Sequence, residues 1–215
     1  MHLLIIAKRP RPGRVKTRLI PLVGPHGAAA LASAALADTF EAARGCRADR
    51  VVVAFDGDPA GVVPTDFEVV SQGTGDLSAR LARAWCEAGG GGLQIGMDTP
   101  QVTAADLDGA LGTLASPGND AVLGLAADGG WWAIGLHAPI DVFTGVATSR
   151  ADTGARQLDR LRGLGLATAL LPTVRDVDRP ADALAVARLA PRSRFAAVLA
   201  ELTAAAPHRL VGVGR

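Results

Sequence analysis

Short apolar runs alternate along this chain with longer stretches whose apolar residues recur at helical spacing. Runs rich in Val, Ile and Leu are typical of buried strands, whereas apolar positions three and four residues apart indicate one face of a helix. The pattern predicts strands over residues 3–7, 50–55, 67–70, 93–97, 120–125, 131–136 and 167–171. It predicts helices over residues 27–43, 76–88, 103–114, 150–164, 180–189 and 193–205.

The order of these elements predicts an α/β fold with a mostly parallel sheet. Strands that are separated by helices pair in parallel through right-handed crossovers. Ligands of such sheets bind beyond the carboxyl ends of the strands. The polar residues that directly follow strands are therefore the candidates for a functional site.

Length and composition fit one domain of this class. The chain has 215 residues, of which 49% are hydrophobic and 20% are charged, and this is enough apolar material for a single core. We expect one domain over residues 1–215, with a C-terminal helix and tail from residue 191. The formal net charge of +1 argues against nucleic-acid or membrane binding driven by a global field.

Other features of the chain favour a cytoplasmic protein. Cys46 and Cys86 form neither a CxxC pair nor a disulfide framework, which is usual for reduced thiols. The apolar run at residues 3–7 is too short for a signal peptide or a membrane span, and we expect no later segment to be long and apolar enough to span a bilayer. The four histidines show no metal-ligand spacing. The Ala-rich C-terminal helix is compatible with a homodimer.

The loop after the first predicted strand is basic and stiff. Six cations lie in residues 8–18, and no acidic residue occurs before or within this stretch. Gly13 permits a turn that presents N–H groups to an anion, while Lys16 and Arg18 can neutralise phosphate oxygens. We interpret the loop as a phosphate-binding site, and the alternatives are a solvated loop or a nucleic-acid patch. A Walker A loop is excluded, because it needs Gly where this chain has Val15.

Two carboxylates follow predicted strands at distant points of the chain. Asp98 comes directly after the strand at residues 93–97, and Asp178 ends the Asp176-Val177-Asp178 segment after the last strand. Carboxylates near a phosphate-binding loop suit Mg²⁺ or Mn²⁺ that is shared with substrate phosphates. The alternatives are a turn cap for Asp98 and the N-cap of the next helix for Asp178.

The segment Asp128-Gly129-Gly130 lies between two predicted strands. Its glycines allow a ligand to approach closely, and a hairpin turn is the alternative. Trp131 and Trp132 follow it and face opposite sides of their strand, so we expect one to pack in the core and the other to line a pocket for a flat acceptor. Asp128 would then deprotonate an acceptor hydroxyl.

A further polar segment, Gln-Gly-Thr-Gly-Asp at residues 72–76, precedes the second predicted helix. Its small residues and the helix N-terminus suit contacts to a base, ribose or phosphate. An ordinary helix cap is the alternative for Asp76. Asp56, at the end of the second predicted strand, would contact the nucleoside or cap a turn.

Taken in order, these motifs resemble the bacterial family DUF2064, which is related to arsenosugar-biosynthesis-type glycosyltransferases. More distantly they resemble molybdenum-cofactor and phospholactate nucleotidyltransferases. The matching segments are AKRPRPGRVKTRL (7–19), the helix with Asp38-Thr39, GTGDLSARL (73–81), IGMDTP (95–100), DGGWWAIGL (128–136) and DVDRPAD (176–182). The chain departs from the family pattern at Ser78-Ala79, Trp131 and Ala147-Thr148-Ser149, which bears on the acceptor more than on the donor phosphates.

The resemblance implies a GT-A-like, Rossmann-related α/β/α fold with a divalent metal, Mg²⁺ or Mn²⁺, held by Asp98 and Asp178. It implies that Lys16 contacts the donor phosphates and that Asp128 borders the acceptor side, and we predict that both residues are catalytic. The implied donor and nucleotide site comprises Ala7, Lys8, Pro12, Gly13, Lys16, Thr17, Arg18, Asp56, Gln72, Gly73, Asp76, Arg80, Gly96 and Asp98. The implied acceptor side comprises Gly129, Gly130, Trp131, Trp132 and Thr148.

Three functions remain open from the sequence. The leading one is transfer of a glycosyl group from a nucleotide sugar to a small-molecule acceptor, because the tryptophan pair suits a sugar. A nucleotidyltransferase, which joins a nucleoside triphosphate to a phosphorylated metabolite and releases pyrophosphate, would use the same loop. A non-catalytic nucleotide-binding module is the third, and the two metal-type carboxylates argue against it.

Overall fold

The computed structural model describes residues 1–205, which form two compact units. The sheet unit comprises Met1–Arg9, Ala43–Gly96 and Ala104–Val174. The helical unit comprises Pro10–Ala42, Met97–Thr103 and the described residues from Arg175 onwards. Each unit is thus assembled from three separate chain segments, and the expectation of a single domain stays a prediction.

The described residues contain every strand and helix that the pattern predicts. The strands are β1 (His2–Lys8), β2 (Arg50–Asp56), β3 (Glu68–Ser71), β4 (Gly92–Ile95), β5 (Ala121–Ala126), β6 (Trp131–Leu136) and β7 (Thr168–Val174). The helices are α1 (Ile20–Gly45), α2 (Leu77–Ala88), α3 (Ala104–Ala115), α4 (Thr153–Gly163), α5 (Pro180–Leu189) and α6 (Arg194–Ala204). The largest difference is at α1, which begins at Ile20 and not at residue 27.

The seven strands form one sheet in the sheet unit, in the order β3-β2-β1-β4-β6-β5-β7. β1 pairs in parallel with β2 and β4, β2 with β3, and β5 with β7. β6 runs antiparallel to both β4 and β5. The predicted mostly parallel sheet is confirmed, and the carboxyl ends of β1, β2, β3 and β4 share one edge.

Helices cover both faces of this sheet. Leu81 of α2 and Leu161 of α4 belong to one buried cluster, which also contains Leu123 of β5. Leu114 of α3 and Val122 of β5 both lie against Gly135 of β6, and the side chain of Val122 points to the opposite face from that of Leu123 because side chains alternate along a strand. The sheet unit therefore has the three layers of an α/β/α sandwich.

Most of α1, together with α5 and α6, forms the core of the helical unit. Leu31 of α1, Val186 of α5 and Phe195 of α6 are buried in one cluster. α1 contains a kink at Gly24, whose φ of 73° is outside the helical range. Pro25 follows and begins the straight part, because proline is tolerated in the first turn of a helix and not in its interior.

The expectation that no later segment is long and apolar enough for a membrane span is wrong. Among residues 1–205, the helix at Thr17–Gly45 passes this test by length and composition alone. Its most apolar window is 56% buried inside the structure. Because Ala28, Leu31 and Ala35 pack in the core of the helical unit, its apolar composition is also that of a core helix.

Candidate functional site

The predicted site residues fall into three groups. The phosphate and metal group lies in the helical unit and comprises Pro12, Gly13, Lys16, Thr17, Arg18, Asp98 and Asp178. The strand-end group lies in the sheet unit and comprises Ala7, Lys8, Asp56, Gln72, Gly73, Asp76, Arg80 and Gly96. The turn group, also in the sheet unit, comprises Asp128, Gly129, Gly130, Trp131, Trp132 and Thr148.

The basic loop contains two residues, Gly13 and Lys16, with left-handed backbone conformations. Gly13 has a φ of 73°, and no atom lies within 4 Å of the place a Cβ would take, so glycine is needed there for the backbone conformation. Lys16 also has a positive φ, 47°, and it precedes a 3-10 turn at Thr17–Leu19. Val15, just before Lys16, and Leu19, at the end of the 3-10 turn, are both buried. Their burial fixes the backbone from which the Lys16 side chain extends.

Each predicted metal carboxylate is paired with a predicted phosphate-binding cation. Lys16 Nζ lies 2.6 Å from Asp98 Oδ1, and the Lys16 side chain is only 10% exposed. Arg18 donates to Asp178 Oδ2. Segments that are 80 or more residues apart in sequence thus bring two cations and two carboxylates into contact within one unit.

Main-chain bonds join the two carboxylate segments. Val177 N donates to Asp98 O over 2.9 Å, and the Val177 carbonyl accepts from Lys16 Nζ. Val177 is itself fully buried in the core of the helical unit. Sequence reasoning missed Val177, because it contributes through main-chain atoms that every residue carries and its apolar side chain signals only burial.

The strand before Asp98 is shorter than predicted. β4 ends at Ile95, so Asp98 does not follow a strand directly and lies in the Met97–Thr103 segment of the helical unit. Gln101 of this segment donates through Nε2 to Arg175 O. The position of Asp98 is therefore set by contacts with the Arg175–Asp178 segment and not by the end of the sheet.

The alternative role for Asp178 as a helix N-cap is not what the structure shows. Arg179 is the N-cap of α5, and its N–H donates to Asp182 Oδ2 over 2.9 Å. Asp182 also accepts from Arg175 Nη1 at 2.9 Å. The N–H of the α5 N-cap thus has its acceptor in Asp182, and the Asp178 carboxylate pairs with Arg18 instead.

A buried amide organises the strand-end group. Gln72 follows β3, and its Nε2 donates to Ala7 O at 2.7 Å and to Ala54 O at 2.8 Å. Its Oε1 accepts from Arg80 Nη1 at 3.2 Å, and the same nitrogen lies 3.8 Å from Asp56 Oδ2. Gln72 therefore ties three strand ends together and directs Arg80 toward Asp56, whose side chain is 58% exposed.

The turn at residues 72–76 is explained by local packing. Asp76 is the N-cap of α2, and its Oδ1 accepts from Ala79 N at 2.8 Å, as the helix-cap alternative predicted. Gly73 has a φ of 70°, and a Cβ there would lie 2.4 Å from Nε of Arg83. These contacts account for an Asp and a Gly at these positions without any ligand.

The Asp128-Gly129-Gly130 segment forms a hairpin turn, which was the alternative interpretation. Ala126 N donates to Gly130 O at 3.0 Å, and Gly129 N donates to Ala126 O at 3.1 Å. Gly130 N donates to Asp128 Oδ1 at 2.8 Å. Asp128 therefore has a structural role in the turn, and its role as a base stays a prediction.

The two tryptophans separate as their alternation predicts. Trp132 is 5% exposed, and its Nε1 donates to Pro172 O at 3.0 Å. Trp131 is half-buried and stacks on Phe143 with ring centroids 6.2 Å apart. Trp132 is thus a core residue, and Trp131 is the more exposed of the two, although it also packs against the buried cluster that contains Phe143.

The segment of Thr148 is held by the start of α4. Thr153 Oγ1 accepts from Arg150 N and donates to Ala147 O, each at 3.1 Å. Ser149 within this short loop has a positive φ of 60°. The loop is therefore closed on itself by Thr153, the first residue of α4, which sequence reasoning did not select because a Thr in the first turn of a helix has many roles.

Asp98 and Asp178 have the chemistry to hold a divalent cation. Carboxylate oxygens are preferred ligands of Mg²⁺ and Mn²⁺, and these two side chains are 49% and 33% exposed. Among residues 1–205, no group of three or more His, Cys, Asp or Glu side chains is placed to hold a metal. The protein would thus supply two ligands, and phosphate oxygens and water would supply the others.

Several solved structures are similar in fold to this chain. A protein from Desulfovibrio desulfuricans G20, provisionally named a nucleotide-diphospho-sugar transferase, is 27% identical with a TM-score of 0.86 over 97% of each chain. Rv0371c from Mycobacterium tuberculosis H37Rv, solved in complex with manganese, is 19% identical with a TM-score of 0.53, over 86% of this chain and 97% of that one. The 2-C-methyl-D-erythritol 4-phosphate cytidylyltransferase of Thermus thermophilus is 18% identical with a TM-score of 0.53, over 89% of this chain and 100% of that one. The last two likenesses show a shared fold alone.

Sequence comparison places the chain in a family. No curated protein matches it significantly. Residues 29–150 match the model of the family described as "Uncharacterized protein conserved in bacteria (DUF2064)". The matched segment is more than half of the chain, runs from within α1 to the loop before α4 and includes Asp98 and the Asp128 turn. The protein therefore belongs to the DUF2064 family.

Proposed function

We propose that this protein is a metal-dependent transferase that moves a glycosyl group from a nucleotide sugar to a small-molecule acceptor. The observation that carries the proposal is the pairing of Lys16 with Asp98 and of Arg18 with Asp178. Such a set offers hydrogen-bond donors for diphosphate oxygens and carboxylate ligands for the cation that accompanies them. The provisional name of the D. desulfuricans protein, similar over nearly the whole chain, supports this choice of donor.

Stabilising the departing diphosphate is the chemical task that these residues suit. Negative charge develops on this group in the transition state, and donors that are already in place lower the barrier. Lys16 and Arg18 would donate to its oxygens, Arg18 through two parallel bonds. Mg²⁺ or Mn²⁺ on Asp98 and Asp178 would neutralise charge on the same oxygens.

The remaining proposed roles are binding the nucleoside of the donor and binding the acceptor. Asp56 and Arg80 would contact the nucleoside, because Gln72 holds Arg80 at the ends of β1 to β3. Asp128 would accept the proton of the acceptor hydroxyl, and the exposed part of Trp131 would contact the acceptor. The same donor chemistry also suits nucleotidyl transfer, which the shared fold of the T. thermophilus cytidylyltransferase makes the second candidate.

One assay separates these functions. The protein is incubated with Mn²⁺ and a panel of nucleotide sugars and nucleoside triphosphates, and the products are separated by anion-exchange chromatography. We expect a nucleoside diphosphate to be released from a nucleotide sugar. Pyrophosphate released from a triphosphate would instead support nucleotidyl transfer, and binding of both donor classes without turnover would favour a nucleotide-binding module.

Variants test the assigned residues in the same assay and by calorimetry. Asp98→Asn is expected to weaken Mn²⁺-dependent donor binding about tenfold or more without unfolding the protein, and Glu41→Gln, an exposed carboxylate of the same unit, should leave binding unchanged. Lys16→Ala is expected to weaken donor binding at low salt, and the difference should shrink at high salt because ions screen the charge. Unchanged metal dependence in Asp98→Asn would refute the metal assignment.

A further inference from the structure

The two cations of the proposed donor site occupy its two metal carboxylates. Lys16 Nζ is 2.6 Å from Asp98 Oδ1, and Arg18 contacts Asp178 Oδ2. An ammonium or guanidinium in this position covers one of the two oxygens of each carboxylate and neutralises its charge, so it competes with a divalent cation for the same group. The carboxylates are therefore held by the protein's own cations in the structure described.

Lys16 is fixed in this arrangement by its backbone and by a second acceptor. Its left-handed conformation, φ 47° and ψ 41°, is one that a residue with a Cβ adopts only when its surroundings hold it there. Leu19 N donates to Lys16 O at 2.8 Å, and Lys16 Nζ also donates to Val177 O. The ammonium thus bridges the Asp98 carboxylate and the segment that carries Asp178.

We infer that Lys16 and Arg18 form a gate that makes metal binding depend on the nucleotide. Without nucleotide, the two side chains neutralise Asp98 and Asp178, so the carboxylates bind a divalent cation weakly. When a diphosphate binds, Lys16 and Arg18 donate to its oxygens and release the carboxylates, which then share the cation with the phosphates. This inference rests on the proposed function and adds to it strong positive coupling between metal and nucleotide.

The gate predicts opposite effects of one substitution on two ligands. Lys16→Met removes the ammonium and keeps a long unbranched side chain. No protein cation then competes with a metal ion for the Asp98 carboxylate. Mn²⁺ alone should then bind more tightly to the variant than to the wild type, while a nucleoside diphosphate should bind less tightly. A lysine that only binds phosphate, or only supports the fold, would not tighten metal binding.

The experiment measures Mn²⁺ binding by electron paramagnetic resonance, with and without UDP, ADP, GDP or CDP, whichever calorimetry shows to bind best. For the wild type we expect the diphosphate to tighten Mn²⁺ binding about 10- to 100-fold, within the usual range of coupling between sites. Lys16→Met should bind Mn²⁺ alone about tenfold more tightly and show several-fold less coupling. Arg18→Met, at a side chain that is 62% exposed, should do the same to a smaller extent.

A matched control removes another cation of the same loop. Arg14→Met lowers the charge of the loop equally, at an exposed residue outside the assigned donor set, and should leave Mn²⁺ affinity and coupling within about twofold of the wild type. Circular dichroism and melting temperatures show whether each variant is folded. Should Lys16→Met not fold, Arg18→Met provides the same comparison at an exposed position.

The outcomes separate the gate from the proposed function. If Lys16→Met and Arg18→Met bind Mn²⁺ alone no better than the wild type, while Asp98→Asn and Asp178→Asn abolish binding, the metal site stands and the gate is wrong. If Asp98→Asn and Asp178→Asn leave Mn²⁺ binding unchanged, the metal site itself is wrong and the gate falls with it. Tighter metal binding in Arg14→Met, equal to that in Lys16→Met, would also overturn the gate, since a general charge effect would then explain it.

Discussion

At the residue scale, the glycines of the Asp128 turn serve packing as well as conformation. Gly154 N at the start of α4 donates to Gly129 O at 2.8 Å. A Cβ on Gly154 would lie 2.4 Å from Gly130 O, and one on Gly129 would lie 1.9 Å from Ala151 O. Backbone therefore lies directly against backbone, and side chains larger than hydrogen do not fit between them.

Replacing Gly129 by Ala should destabilise the protein markedly. Its φ of 91° costs a residue with a Cβ about 1–2 kcal/mol, and the clash with the Ala151 carbonyl adds to this, so we expect a loss of about 3 kcal/mol or more. Gly145→Ala is the control, because φ is 83° but no atom lies within 4 Å of its Cβ, and only the conformational cost applies. Urea unfolding of the two variants gives the comparison, and equal losses would contradict the packing explanation.

At the element scale, one carboxylate on α1 completes the start of α6. Asp38 is 9% exposed and accepts from Arg194 N at 3.0 Å and from Phe195 N at 2.9 Å. The N-cap Ser193 accepts from Ala196 N at 3.1 Å. The first N–H groups of a helix have no partner within it, so α1 supplies partners for two of them and fixes α6 beside it.

Asp38→Ala should therefore cost about 2–3 kcal/mol of unfolding free energy, because two N–H groups lose their acceptor and one of them is buried. The control is Glu41→Ala, because Glu41 lies one turn away on α1 and makes only an exposed contact with the Arg194 side chain. Losing this contact is expected to cost less than about 0.5 kcal/mol. Chemical denaturation measures both. Similar costs for the two variants would show that charge near α6, and not the capping bonds, is what matters.

At the scale of the whole molecule, local groups set the dependence of stability on pH. The formal net charge is only +1 at pH 7, so self-repulsion is small near neutrality. His2 is 2% exposed and meets Trp85 edge to face, with ring centroids 5.2 Å apart. Burial, followed by the nearby charge of Arg50, lowers the pKa of His2 to about 4.

The lowered pKa means that folding favours the neutral imidazole, whereas the unfolded chain takes up a proton near pH 6.5. The contribution of His2 to stability is therefore complete above pH 6.5 and is lost as the pH falls toward 4. Between pH 7 and pH 5 the wild type should lose about 2 kcal/mol more than His2→Leu, which has no proton to bind. Urea midpoints at the two pH values test this, and parallel losses in the two proteins would contradict it.

The strands and helices could be predicted from the sequence because the patterns that indicate them are local. Apolar periodicity within ten or fifteen residues predicted each strand and helix, and the alternation of β1, α1 and β2 predicted parallel pairing. The ends that were misplaced depend on longer-range contacts. β4 stops at Ile95, and the chain enters the helical unit two residues later, at Met97. α1 extends back to Ile20 across the kink at Gly24, and Leu22 and Val23 before the kink lie in the core of the helical unit.

By itself, the sequence determined the fold class, the family motifs and the candidate residues of the donor site, because these follow from residue types and short spacings. Only the tertiary structure decided which cation meets which carboxylate, which aspartates are caps, and that Val177 joins the two acidic segments through its main chain. Asp76 and Asp178 each precede a helix, yet only Asp76 caps one. The difference is that Arg179 is the N-cap of α5 and its N–H donates to Asp182, while Asp178 pairs with Arg18 from a distant part of the chain.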